Sequence, residues 1–235
     1  MHLAILMSNT DESDFAQAHP KDGEKWPALL TPACPDCRFS VFSVKDGDFP
    51  EDITKFDGAL ITGSPASVHD VDPWLAKLFD LIRTAIDAKV PLFGACFGHQ
   101  AIAVALGGKV ANNPCGWVFG VTETTAVKPP PWIEDSRSVK LHAAHVEQVV
   151  IAPEDAIIVH GNAECPIGGY VIGEKVFTTQ YHPEITADFM TALIDELETQ
   201  KPVEVISAAR ASMNEKTDNS LFAKWIIAFF RQAQT

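Results

Sequence analysis

A nucleophile, a base and a carboxylate can be picked out of this sequence before any element is assigned. Cys96 sits in Gly94-Ala95-Cys96-Phe97-Gly98, between the apolar run Val90-Pro91-Leu92-Phe93 and the segment Ala101–Leu106. In a sharp strand-to-helix turn, side chains two before and two after the central residue collide unless they are nearly absent, and the two glycines supply those absences. This is the nucleophile-elbow pattern with cysteine in place of serine, and it aims the sulfur outward at a helix N-terminus, a setting that favours a thiolate. Such a thiol needs a base, and the base needs an orienting carboxylate. Of the eight histidines, His182 follows a strand-like run and precedes Pro183 and Glu184. At extended spacing His182 and Glu184 point to the same side, so the carboxylate can bond one imidazole nitrogen and leave the other for sulfur. An acyl-transfer site also needs backbone N–H groups where an oxyanion develops. Phe97, directly after the thiol, offers one, and Ser64 in the turn Gly63-Ser64-Pro65 offers the second.

The elements that must hold these residues follow from periodicity. Residues 2–7, 38–44 and 56–62 read as strands, 72–89 as an amphipathic helix, 90–94 as a buried strand and 101–106 as a short helix stopped by Gly107-Gly108. Alternating strands and helices imply an α/β fold with a central sheet covered on both faces. From about 109 to 181 the chain turns to shorter β-like pieces with a proline break at 129–131, which predicts a more antiparallel second half and hence a mixed sheet. Helical patterns return at 187–200, 203–213 and 221–233, and the apolar face of the last is expected to dock on the chain's own sheet. The simplest organisation is one domain over 1–235, with a helical C-terminal extension from about 185.

Composition limits the partners. With 46% hydrophobic residues in a chain of 235, a sizeable core is expected. The net charge of −13 argues against nucleic acid or an anionic membrane as partner, because both would be repelled. No run reaches the length of a membrane span and the N-terminus lacks signal-peptide features, so a cytoplasmic location is expected. Five cysteines in that setting predict reduced thiols, with Cys34 and Cys37 as incidental thiols in a loop and no zinc site. His99 reads as a residue packed behind the elbow. Trp117 and Phe119 suit either a pocket wall or a core strand.

Four stretches together carry a resemblance. Thr62-Gly63-Ser64-Pro65, Gly94-Ala95-Cys96-Phe97-Gly98-His99-Gln100, Leu106-Gly107-Gly108-Lys109-Val110 and Gln180-Tyr181-His182-Pro183-Glu184 stand in the order and approximate spacing of the class I glutamine amidotransferases. Over roughly residues 40–190 the chain resembles the stand-alone members similar to the glutaminase domain of GMP synthase, a group that includes plant γ-glutamyl peptidases. The resemblance implies a flavodoxin-like fold with helices on both faces of a mixed central sheet. It implies Cys96 as nucleophile, His182 as general base and acid, Glu184 as its orienter, and Ser64 and Phe97 as oxyanion donors. Gly63, Gln100 and His145 would contact the substrate. The implied reaction is hydrolysis of the γ-amide of glutamine through a γ-glutamyl thioester, which requires no metal or organic cofactor. The alternative is a peptidase acting on γ-glutamyl peptides or conjugates. A non-catalytic regulatory subunit would not need a thiol, a base and a carboxylate together. Two departures stand out: Ser64 replaces the second glycine of the usual Gly-Gly-Pro, and Ala144-His145-Val146-Glu147 replaces Ser-His-x-Asp. The lost hydroxyl and longer carboxylate loosen the expected selectivity for glutamine. The partner is therefore a small molecule, and any synthetase accepting ammonia would be a separate subunit, since no P-loop or ATP-pyrophosphatase sequence is present.

Overall fold

The computed structural model describes residues 1–133 and 135–234, so Glu134 and Thr235 lie outside the description. The chain opens with strand β1 (His2–Met7), two helices α1 (Asp14–Ala18) and α2 (Asp22–Leu30), and strand β2 (Arg38–Ser43). Strand β3 (Gly58–Ile61), helix α3 (Pro73–Asp87), strand β4 (Leu92–Ala95) and helix α4 (Phe97–Ala105) follow. The middle is β-rich, with β5 (Lys109–Asn112), β6 (Val118–Ala126), β7 (Val139–His145), β8 (Glu147–Ile151), β9 (Ile157–Gly161), β10 (Gly169–Ile172) and β11 (Val176–Thr179). Helices α5 (Ala187–Glu196), α6 (Val203–Ser212) and α7 (Asn219–Gln232) complete the order.

Nine strands form one sheet in the order β2-β1-β3-β4-β11-β10-β9-β6-β7. Pairing is parallel from β2 to β11 and antiparallel from β11 to β7. A separate ladder joins β5 and β8. The parallel half is buried on both faces, which is why its strands read as apolar runs rather than alternating ones. Successive residues of β1 divide between the faces: Leu3 and Ile5 pack with Trp26 and Leu30 of α2 and with α7, while Ala4 and Leu6 pack with α3 and α4. The helix over 72–89 is observed as Pro73–Asp87, with Trp74, Leu75, Leu78, Ile82 and Ala85 buried on one side and proline at its first turn. On the opposite face, Phe222, Phe229 and Phe230 of α7 are fully buried against Phe93 and Phe177. Burying each such ring contributes about 1.5–3 kcal/mol. The apolar face of residues 221–233 is thus spent on the chain's own sheet.

Three features differ from the sequence reading. Helix α4 begins at Phe97, four residues earlier than expected, because Gly98 sits inside its first turn. Helices α1 and α2 and strands β5 and β8 were not anticipated. The expectation of five reduced thiols is also overturned: Cys34 and Cys37 form a disulfide. The turn after α2 hydrogen-bonds Cys37 N to Cys34 O at 3.0 Å and brings the two Cα atoms to 5.4 Å, within bridging range. Cys96, Cys115 and Cys165 remain free. No helix of the described residues is long and apolar enough to cross a membrane, and none of their His, Cys, Asp and Glu side chains are grouped to hold a metal ion.

The antiparallel half buries histidines. His145 and His160 are 4% and 3% exposed. Burial, helped by the charge of nearby His182, pushes His145 down to about 4, and burial alone pushes His160 down to about 3. Their folded values lie below the unfolded 6.5, so the unfolded chain takes up protons first as pH falls. Stability should therefore fall from about pH 6.5 downward, by about 2 kcal/mol per such histidine at pH 5. Urea unfolding midpoints at pH 7.5 and pH 5 measure this, and equal midpoints would contradict it. A second expectation concerns the elbow. A Cβ on residue 98 would overlap the carbonyl of Ile61, and one on residue 94 would come within 2.6 Å of the backbone of Gly98. Gly98→Ala should cost about 1–3 kcal/mol through overpacking against backbone, seen as a melting temperature lower by several degrees.

Candidate active site

The parallel strands all point their carboxyl ends to one rim, and the candidate residues gather there. Ser8 and Asn9 follow β1, Gly63 to Ser67 follow β3, Cys96 follows β4, and Gln180 and His182 follow β11. In open α/β sheets this rim, near the point where strand order reverses, is where ligands bind.

Cys96 joins β4 to α4 with φ 49° and ψ −105°, a left-handed conformation that costs a non-glycine residue about 1–3 kcal/mol. Three hydrogen bonds hold it there. Its N–H donates to Thr179 O at 2.8 Å, its carbonyl accepts from Gln100 N at 3.1 Å, and Gly98 N donates to Thr62 O at 3.2 Å. The elbow is thereby stitched to both neighbouring strands, with Cys96 itself only 5% exposed.

His182 is fixed from the other side of the cleft. Its backbone N–H donates to His142 O at 2.8 Å, which appends the segment to β7 as an isolated bridge. His142 Nδ1 in turn lies 2.9 Å from Ile185 O. The imidazole Nδ1 of His182 is 2.8 Å from Glu184 Oε1. Burial would favour the neutral ring, but the charge of Cys96 and of Glu184 and hydrogen bonds to both outweigh it, so His182 is raised well above an ordinary histidine. Gly63 packs beneath this ring: a Cβ there would stand 2.7 Å from His182 Cε1. Cys96, His182 and Glu184, selected from sequence on separate grounds, thus line one cleft, with Glu184 Oε1 2.8 Å from His182 Nδ1.

The other sequence-selected residues surround them. Among the described residues the backbone N–H groups of Ser64 and Phe97 donate to no protein acceptor. Phe97 N–H is the first of the helix, where donors have no intrahelical partner. Ser64, Gly63, Gln100 and His145 line one cleft of about 610 Å3 together with Cys96, His182 and Glu184. Gln100 spends its amide N–H groups on Glu147 O at 2.8 Å and Gln180 Oε1 at 3.2 Å. His145 Nδ1 faces Glu147 O at 3.2 Å. His99 is wholly buried, with Nδ1 2.9 Å from Thr178 Oγ1, and burial holds it well below the usual histidine range. It is a packed residue behind the elbow.

Sequence reasoning missed several neighbours. Gln180 donates from Nε2 to Cys96 Sγ at 3.5 Å, and only its place in Gln-Tyr-His-Pro-Glu hinted at it. Glu147, the longer carboxylate already noted in sequence, accepts from Ser67 Oγ at 2.9 Å, tying the loop after β3 to the first residue of β8. Asp22, buried beside Lys25 at 3.3 Å, faces the same cleft. Burial raises its carboxyl, Lys25 draws it back, and the charge of Glu184 raises it further. Trp117 and Phe119 resolve as cleft-lining residues.

Residues 35–195 match the family model described as glutamine amidotransferase class-I. Gamma-glutamyl peptidase 3 of Arabidopsis thaliana is 27% identical over 86% of this chain and 80% of its own length. Gamma-glutamyl peptidase 5 of the same plant is 30% identical over 84% and 76%. A glutamine amidotransferase from Thermotoga maritima superposes with a TM-score of 0.75 at 20% identity, covering 97% of each chain, which shows a shared flavodoxin-like fold. On the extent of the family match, and with an elbow, a base and a carboxylate meeting at the rim where that fold binds ligands, the chain belongs to the class I glutamine amidotransferases.

Proposed function

We propose that this protein hydrolyses the γ-amide bond of a γ-glutamyl compound through a thioester on Cys96. The observation that carries the reading is His182, held by Glu184 at 2.8 Å and raised by the adjoining Cys96. The imidazolium of His182 already holds the thiol proton when sulfur attacks the γ-carbonyl carbon, and Glu184 stabilises that imidazolium. The oxyanion meets the N–H groups of Phe97 and Ser64, which the protein leaves unclaimed. His182 returns the proton to the departing nitrogen, and the C–N bond breaks. Water, activated by the same ring, then splits the thioester to give glutamate and free thiol. Gln100, Gly63 and His145 surround the glutamyl end, and Gln180 steadies the sulfur between turnovers.

Glutamine is the first substrate this reading offers. A second reading, cleavage of γ-glutamyl peptides, is favoured by the cleft of about 610 Å3, large for a free amino acid, and by the names of the Arabidopsis relatives. A separate synthetase subunit taking up ammonia belongs to the first reading alone.

Two experiments test the chemistry. A diazo-ketone analogue of glutamine should label Cys96 and spare exposed Cys115 and buried Cys165, as read by peptide mass mapping; labelling elsewhere with Cys96 untouched would refute the assignment. His182→Ala should remove nearly all glutamate release, whereas Glu184→Gln should keep about one to two orders of magnitude more, because it orients the ring without moving the proton. Near wild-type turnover by folded His182→Ala would place the base elsewhere.

A further inference from the structure

The cleft holds more than the cleavage of glutamine uses. Its volume of about 610 Å3 lies within the range of about 300–1,000 Å3 typical of pockets that enclose a drug-sized molecule. Glutamine offers nothing beyond its scissile amide nitrogen to fill the remainder. Part of that remainder is aromatic. Phe15 of α1, Phe119 of β6 and Phe189 of α5 all line it, and the rings of Phe15 and Phe189 stand 5.6 Å apart. All three residues are half-buried and border the cleft.

The same wall carries cations of unequal standing. Lys25 Nζ lies 3.8 Å over the Phe189 ring but is neutralised by Asp22. Lys45 is paired with Glu12 and Asp46, and Lys21 is solvated at the rim. Lys201 is different. Its Nζ stands 3.7 Å over the Trp117 ring, it is half-buried, and burial lowers its pKa. Among the described residues it makes no ion pair. An ammonium seated on the Trp117 ring with no carboxylate partner is available to pair with an anionic group of a ligand in the cleft.

We infer that the cleft takes γ-glutamyl dipeptides whose second residue is large and apolar, with Phe15, Phe119 and Phe189 covering its side chain and Lys201 pairing with its α-carboxylate. The inference rests on the proposed cleavage of γ-glutamyl amides at Cys96. In that reaction the sulfur–carbon bond forms as the peptide C–N bond breaks, and the apolar amino acid leaves with its nitrogen protonated from His182. Water then supplies hydroxyl and proton to glutamate and thiol.

Binding to full-length Cys96→Ala protein, measured by calorimetry, tests the subsite without turnover. The probes are γ-glutamylphenylalanine, its C-terminal carboxamide and γ-glutamylglycine. The first should bind about tenfold or more tightly than either of the others, the scale of one charge-assisted pair or one buried ring. Adding Lys201→Met should bring acid and carboxamide to within about twofold of each other. Adding Phe189→Ala should narrow the gap between the phenylalanine and glycine peptides. Equal binding of acid and carboxamide by the Cys96→Ala protein would overturn the proposal. So would an equal loss for both on Lys201→Met, since the lysine would then hold the glutamyl end. Lys201-dependent binding of a dipeptide that the wild-type protein leaves uncleaved would refute the hydrolysis reading and keep the subsite. Hydrolysis of glutamine with no preference among the three probes would do the reverse.

Discussion

No room exists for a side chain at residues 94 and 98, on either side of the turn from β4 into α4, and the rest of the site depends on that crowding. Helix α4 lies so close to β3 that the carbonyl of Ile61 occupies the space a Cβ on residue 98 would need, and Gly94 faces Gly98 across the turn. Because the helix can approach so closely, the reversal is completed in one residue, Cys96, whose backbone is forced left-handed. That strain persists because the ladder over-determines it: both neighbouring strands contribute hydrogen bonds to the turn. The sulfur is held at a fixed point on the rim, and His182, Gln180 and Gly63 are arranged around it.

The electrostatics of the rim follow from how deeply each group is sunk. His182 and His145 are both buried, yet they differ in direction. His182 has Cys96 and Glu184 as charged neighbours and is raised against its burial, whereas burial and the charge of His182 lower His145, the carbonyl of Glu147 only partly opposing them. Two imidazoles lining one cleft are thereby assigned opposite protonation, one to exchange protons and the other to stay neutral.

What was legible in the sequence was local. Gly94, Cys96 and Gly98 lie within five residues, and His182 and Glu184 lie two apart, so their chemistry can be read from spacing. The apolar runs of β1, β3 and α3 are long enough to show their period. Helix α2 was not, because it carries Pro27 in its interior and shows only a weak apolar stripe. Strands β5 and β8 are short and half-exposed, so neither alternation nor a buried run marks them. Much of the cleft wall was out of reach for a different reason: Phe15 lies far in sequence from Phe189 and Lys201, and they meet only after the sheet is formed. The disulfide escaped because C-x-x-C spacing suits several outcomes, and only the turn after α2 decides among them.

The packing of α7 sets an order on how the molecule comes into being. Its phenylalanines complete the apolar layer over Phe93 and Phe177 beside Trp26 and Leu30 of α2, so the part of that face α2 does not reach stays open until residues 219–232 have been synthesised. Contacts this distant in sequence are formed late and slowly. During translation the nascent chain therefore carries a bare aromatic surface on its sheet for most of its length, the kind of surface that chaperones shield.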